Sequence, residues 1–272
     1  MRGNMQDLMK GKRGLIMGIA NDHSIAWGVA KAVAAQGAEL AFTYQGEALG
    51  KRVKPLAEQL AVDTVLSCDV EDIASVDAVF EALRAKWGRL DFLVHAIGFS
   101  DKNELKGRYA DTTRANFSRT MLISCFSFTE LARRAAELMT GTGGSMITLT
   151  FGGSVRVMPN YNVMGVAKAA LEASVRYLAA DFGPRNIRVN AVSAGPIRTL
   201  AGSGIGDARA MFAFQQKNSP LGRGVTLEEL GGSALYLLSD LSGGVTGEIH
   251  YVDSGYNVIS MPRPEALKSV VE

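Results

Sequence analysis

The stretch Gly14-Leu-Ile-Met-Gly18-Ile-Ala-Asn-Asp-His-Ser24-Ile25-Ala26-Trp-Gly28 decides the fold. It opens as a short apolar run that reads as a strand. It then crosses a polar turn that starts at a glycine, and continues as a helix from Ser24 to Gln36. The same alternation recurs along the chain. Glu39-Leu-Ala-Phe-Thr-Tyr44 reads as strand and Ala48 to Leu60 as helix; Thr64-Val-Leu-Ser67 reads as strand and Ile73 to Trp87 as helix. Leu90-Asp-Phe-Leu-Val-His95 is a fourth strand, followed by a long helical stretch from Thr112 to Met139. Gly144-Ser-Met-Ile-Thr-Leu-Thr150 is a fifth strand and leads into a helix that ends near Phe182. Ile187-Arg-Val-Asn-Ala-Val192 is a sixth strand, Leu227 to Leu238 a helix and Glu248-Ile-His-Tyr-Val252 a seventh strand. Alternating β and α elements predict an α/β fold: a Rossmann-like, doubly wound parallel sheet of about seven strands with helices on both faces. No internal repeat or Pro-rich linker divides the chain, so a single domain over 1–272 is the simplest expectation.

Composition narrows the function. The 272 residues are 47% hydrophobic and 21% charged, ordinary values for a globular domain. Twenty-nine Lys and Arg nearly balance 27 Asp and Glu, leaving a net charge of +2 and no electrostatic case for a nucleic-acid partner. Cys68 and Cys125 show neither metal spacing nor a disulfide framework. His23, His95 and His250 are likewise scattered, so no metal site is expected; His95 reads as a strand-end packing residue. The N-terminus lacks a signal-peptide apolar core, and no apolar run is long enough to span a membrane. A cytoplasmic protein without a membrane partner is the expectation.

The first strand–helix turn is a candidate dinucleotide site. Gly18 gives a permissive backbone at the strand end, and Ser24 and Ala26 are small, so the helix start can approach a pyrophosphate. The usual G-x-G-x-x-G run is absent, and Ser24 is equally a plausible helix N-cap. Gln45 ends the second strand where an acidic residue commonly binds the adenosine ribose, and it would equally serve as a solvated turn residue. No Arg or Lys follows it directly to hold a 2′-phosphate, which favours NADH over NADPH; Lys51 and Arg52 keep the second cofactor open. Asp69 and Val70 follow the third strand and are candidates to flank the adenine, with Asp69 also a candidate helix cap. Ala96-Ile97-Gly98 follows the fourth strand, where small residues admit either a cofactor ribose or close packing.

Tyr161 and Lys168 lie almost two turns apart at ~3.6 residues per turn, so a helical segment would set a phenol beside an ammonium on one face. A nearby cation favours the phenolate, which suits a reaction that builds negative charge on an oxygen.

Together these motifs resemble the short-chain dehydrogenase/reductase superfamily, and within it the bacterial NADH-dependent enoyl-acyl-carrier-protein reductases. The resemblance runs from about Lys12 to Pro262. It rests on Gly18-x5-Ser24-Ile-Ala, Ala41-Phe-Thr-Tyr-Gln45, Val94-His-Ala-Ile-Gly-Phe99, Tyr161-x6-Lys168 and Ser193-Ala-Gly-Pro-Ile-Arg-Thr-Leu-Ala201. Ketone and alcohol members generally carry Tyr-x3-Lys; here Met164 stands four before Lys168. The resemblance implies reduction of the trans-2 double bond of an enoyl thioester, borne by acyl carrier protein or coenzyme A, in fatty acid biosynthesis. It implies catalytic roles for Tyr161 and Lys168. The cofactor contacts implied are Gly18, Ser24, Ile25, Gln45, Asp69, Val70, Ile97, Lys168, Ile197, Arg198, Thr199, Leu200 and Ala201. Substrate contacts are implied at Ser100, Tyr161, Met164, Ile205 and Met211, with Ile205 and Met211 in a glycine-rich, mobile segment around 197–218. Ordinary burial on an amphipathic helix accounts equally well for Met211. A homotetramer is the family expectation. One departure stands out: the family pattern usually places a second Tyr ten residues before Tyr161, and this chain has Phe151. Competing expectations are a carbonyl or alcohol dehydrogenase of the same fold and a dinucleotide-binding regulator.

Overall fold

The structure is a computed structural model and describes residues 7–197 and 208–264. Its centre is a seven-stranded parallel sheet in the order β3-β2-β1-β4-β5-β6-β7. The strands are β1 (Arg13–Met17), β2 (Glu39–Tyr44), β3 (Thr64–Ser67), β4 (Phe92–His95), β5 (Gly144–Thr150), β6 (Ile187–Ala194) and β7 (Ile249–Val252). Between them run α1 (Ile25–Ala34), α2 (Gly46–Gln59), α3 (Ile73–Trp87), α4 (Arg114–Met121), α5 (Ser127–Leu138), α6 (Asn162–Phe182), α7 (Ala208–Asn218) and α8 (Leu227–Leu238). The predicted doubly wound sheet is therefore observed.

The two-residue period of the strands explains why both faces are covered. Leu15, Leu93 and Met146 point into one core with Phe128, Leu131 and Leu171. Their neighbours Ile16, Val94 and Ile147 point into the other, with Phe42, Val29 and Leu237. Each such large side chain contributes roughly 1.5–3 kcal/mol through burial, so a helix missing from either face would leave half of every strand unpartnered.

Several boundaries shift by one or two residues from the sequence expectation, and two differences are informative. β4 begins at Phe92 rather than Leu90. The Leu90 N–H turns away from the sheet to Leu138 O, while Asp91 still donates its N–H to Arg13 O and its carboxylate accepts the Arg13 N–H. The long helix expected over 112–139 is interrupted by a π-helical turn, Leu122–Phe126, between α4 and α5. Inside it the Ser124 hydroxyl accepts the Phe99 N–H and donates to the Phe99 carbonyl, tying the helix to the segment after β4. Wide turns of this kind often mark functional positions.

Chain reversal places the site. β1 lies between β2 and β4, so the crossovers leave it in opposite directions and a crevice opens at the carboxyl ends of these strands. Met17 pairs in register with His95, so Gly18 and Ala96 emerge side by side. Gly18 has φ +101°, and a Cβ there would sit 2.1 Å from the Ala96 carbonyl oxygen. On one face α1 and α8 cross with a comparably close approach: a Cβ at Gly231 would stand 2.6 Å from the Gly28 carbonyl oxygen. Gly231→Ala should therefore destabilise the fold by about 1–3 kcal/mol, read as a lower urea midpoint. Gly232→Ala should leave the midpoint unchanged or raise it, because a Cβ there meets nothing within 4 Å. Equal midpoints for the two variants would refute the close α1–α8 crossing.

Candidate active site

The crevice is a cleft of about 350 Å³. Gly18, Ser24 and Ile25 reach it from the β1–α1 turn, Ile97 and Ser100 from the segment after β4, and Ile197 from the end of β6. Tyr161, Met164 and Lys168 line it from α6. Nine of the sequence-predicted site residues, far apart in the chain, thus meet in one place.

Ser24 occupies the N-cap position of α1 without capping it by its side chain. Its hydroxyl oxygen instead accepts the Ala20 and Asn21 N–H groups, at 3.0 and 3.1 Å, and so shapes the turn itself. The start of α1 is left facing the cleft with small residues and no acidic side chain in its first turn. A close backbone at Gly18 and a helix N-terminus of this kind suit an anionic dinucleotide.

Gln45, Asp69 and Val70 stand apart from the cleft wall, at the ends of β2 and β3. Gln45 is exposed, and its Nε2 donates to Asp69 Oδ2 at 2.9 Å, tying the ends of β2 and β3 together. Asp69 does not cap α3; Asp72 does, accepting the Ala74 N–H, while Asp69 Oδ1 accepts the Glu71 N–H. Val70 is buried against the core. Met211 borders a separate small cavity beside Phe151, Tyr161 and Phe212. Arg198, Thr199, Leu200, Ala201 and Ile205 lie outside the described residues.

Tyr161 and Lys168 correct one sequence expectation. Tyr161 precedes the first turn of α6, at its N-cap position, and Lys168 lies within the helix. Both are buried. Lys168 Nζ donates to the Leu149 carbonyl at 2.8 Å, which anchors the ammonium to the end of β5. Burial, and behind it the Glu172 carboxylate, pushes the Tyr161 phenol above its usual pKa. The phenolate expected from a cation alongside is therefore not favoured: desolvation and the Glu172 carboxylate both act against ionisation of the phenol. Tyr161 stands in this cleft as a neutral hydrogen-bond donor. Burial also lowers Lys168 to about 8, against the influence of Cys125 and Glu172, which raise it.

Family comparison supports what the geometry suggests. A family model described as Enoyl-(Acyl carrier protein) reductase matches residues 18–257. The chain belongs to the enoyl-(acyl carrier protein) reductase family. It is 78% identical to enoyl-[acyl-carrier-protein] reductase [NADH] 2 of Rhizobium meliloti (strain 1021), over 97% of this chain and 98% of the relative. It is also similar to the crystal structure of FabI from Candidatus Liberibacter asiaticus, with TM-score 0.93 and 62% identity, covering 95% of this chain and 100% of that one. The reductase of Anaplasma phagocytophilum, solved in complex with NAD, aligns with TM-score 0.92 and 58% identity over 95% of this chain and 98% of its own.

In this member of the reductase family the Phe151 ring meets the Tyr161 ring edge-on, 5.3 Å between centroids and 74° between planes. It packs the phenol without offering a hydroxyl. Three features escaped the sequence reading. Glu172 is buried one turn beyond Lys168, and the Thr150 hydroxyl donates to its Oε1 at 2.6 Å. An acid at i+4 on an otherwise apolar helix face was the available signal. Ser100 is held by Asn116 and Thr120 from α4, an arrangement that no local pattern foretells. Arg119 lies 4.6 Å over the Phe99 ring and grips Glu71 through two nitrogens. His95 is a packing residue, as expected. Burial, then Lys168, pushes it down to about 3, and its neutral ring bonds Thr148 and Ser127.

The Lys168 pKa sets a pH dependence. In the folded chain the ammonium is lost near pH 8, and in the unfolded chain near 10.5. The cost of burying its charge is thus complete below pH 8 and relieved as pH rises towards 10.5, so this group favours folding more at high pH. Any activity that needs the cation falls over the same window. The kcat/KM profile, which reports the free enzyme, should lose activity above a pH of about 8. Lys168→Arg should shift that limb upward, because guanidinium stays charged. An identical basic limb in the variant would assign it to another group.

Proposed function

We propose that this chain is an NADH-dependent enoyl-acyl-carrier-protein reductase that reduces the trans-2 double bond of an enoyl thioester in fatty acid biosynthesis. The observation that carries the reading is that the buried Tyr161 and Lys168 share the wall of a cleft that also receives the Gly18–Ser24 turn. The name of the 78% identical relative supports both cofactor and substrate.

The residues present fit the cofactor: Gly18 lets the end of β1 lie close against Ala96 at the cleft, and the α1 N-terminus supplies N–H groups for a pyrophosphate. Gly18, Ser24, Ile25, Ile97, Ile197 and Lys168 would hold it, with Gln45 and Asp69 towards its adenosine end. Arg198, Thr199, Leu200 and Ala201 complete the proposed set. When bound, NADH would supply the hydride that adds to the β-carbon of the enoyl thioester, and a proton from solvent at the α-carbon would complete the reduction. Tyr161 donates a hydrogen bond to the thioester oxygen as negative charge gathers there. A neutral phenol with a raised pKa suits that role, since it holds its proton and still donates. Lys168 keeps a positive charge next to the developing enolate and offers donors to ribose hydroxyls. Low exposure at Tyr161, Met164 and Lys168 excludes water and strengthens each of these interactions. Ser100, Met164, Ile205 and Met211 complete the proposed acyl site.

We further infer a single catalytic domain and a homotetramer. β7 ends the sheet with an open edge, and Tyr236, Leu241 and Tyr251 stand exposed around it. Phe126 and Tyr177 are exposed on the α5–α6 side. No described helix is long and apolar enough to cross a membrane, in keeping with a cytoplasmic enzyme. NADH consumption with trans-2-enoyl thioesters of several lengths, with NADPH in parallel, tests the reading; absence of enoyl-dependent turnover would overturn it. Tyr161→Phe should lower kcat by ~10²–10³-fold and leave NADH affinity within about twofold of wild type. Lys168→Ala should weaken both; wild-type NADH affinity in that variant would remove the ribose contact.

A further inference from the structure

α7 lies over the cleft and turns Gln215 inward. This side chain is only 4% exposed, yet its Oε1 has no hydrogen-bond partner. Its Nε2 reaches the Met158 thioether at 4.0 Å, a weak acceptor. Buried polar groups are nearly always paired, and an orphaned amide oxygen costs stability that an apolar residue of similar size would not. The amide borders a cavity of about 10 Å³, room for on the order of one water oxygen. Phe151, Met158, Met211 and Phe212 make apolar walls, and Tyr161 lines the cavity as well. Phe151, Tyr161 and Phe212 line the main cleft as well, so the cavity adjoins the place where the acyl group and its thioester would lie. Phenylalanine at 151 brings no hydroxyl to this corner. The free oxygen of Gln215 is therefore an acceptor, in a dry setting, next to the phenol that would receive the thioester oxygen.

We propose that Gln215 is a specificity-determining residue whose amide oxygen accepts the N–H nearest the thioester in the arm that carries the acyl chain. The inference rests on the enoyl-thioester reading above and narrows its substrate class to thioesters of amide-bearing arms. Acyl carrier protein and coenzyme A both attach their acyl groups through such an arm, so the contact recognises the arm they share. The bond would form only with substrate present, which explains why the oxygen is unpaired in the free chain.

The test compares two trans-2-enoyl thioesters of equal acyl length, with NADH in saturation. One is the thioester of N-acetylcysteamine, which has the amide N–H; the other is an S-butyl thioester, which has none. Wild type should prefer the first in kcat/KM, and Gln215→Leu should lose about tenfold on the first and less than twofold on the second. Its melting temperature should equal or exceed that of wild type, because an orphaned polar group has been removed. Phe151→Tyr gives an independent reading: its hydroxyl would enter the same cavity, occupy the Gln215 oxygen and shrink the preference for the amide-bearing substrate. Equal losses on both substrates, or a lower melting temperature in Gln215→Leu, would show a packing role and overturn the proposal. An unchanged preference in both variants would overturn it too. Failure of wild type to reduce either thioester would instead bring down the enoyl-reductase reading itself, and this inference with it.

Discussion

The close approach of two backbones at Gly18 and Ala96 is the constraint on which the rest of the molecule depends. The first strand must end in a conformation open to glycine, because any Cβ at Gly18 would collide with the Ala96 carbonyl. That contact holds β1 against β4 where the sheet divides, and the division creates the cleft. The turn to α1 can then run tight, with Ser24 accepting N–H groups from Ala20 and Asn21 instead of capping the helix. Helix α1 is in turn pressed against α8 through Gly28 and Gly231. Absent side chains thus connect the cleft-facing helix start to the far face of the sheet.

On the other side of the cleft the governing effect is desolvation. Tyr161, Lys168 and Glu172 are all buried within one segment, and burial moves the Tyr161 and Lys168 titrations in opposite directions. The phenol is pushed towards its neutral form and the ammonium is brought within reach of physiological pH. A pair read simply as cation beside phenolate becomes a neutral phenol and a weakly held cation on the wall of one cleft. Fixed partners keep this arrangement in place: Leu149 O for Lys168, the Thr150 hydroxyl for Glu172 and the Phe151 ring edge for Tyr161. All three come from the end of β5 or the residue after it, so strand register governs the electrostatics of the site.

The substrate side is built differently. The π-helical turn between α4 and α5 brings Ser124 to the Phe99 backbone, while Asn116 and Thr120 hold Ser100. Arg119 covers Phe99 and pairs with Glu71 across the mouth of the β3–α3 connection. Polar networks of this sort hold a loop without occupying the cleft. They leave a cleft lined largely by apolar side chains, with Tyr161 shared between it and the small cavity that Gln215 borders.

By itself the sequence determined the alternation of seven strands with helices, the glycine-led first turn, and the Tyr161-x6-Lys168 and Ser193 to Ala201 runs that carry the family resemblance. These are local in nature: strand and helix periods, turn glycines and spacings along one segment can be read from neighbours in the chain. Tertiary structure alone decided which of those residues share a cleft, since Gly18, Ile97, Tyr161 and Ile197 meet through the order of the strands and not through spacing. It also decided that Gln45 pairs with Asp69, that Asp72 rather than Asp69 caps α3, and that the buried Tyr161 keeps its proton. Hydrogen-bond pairing between distant segments and desolvation depend on what surrounds a group in space, and no period along the chain encodes that surrounding.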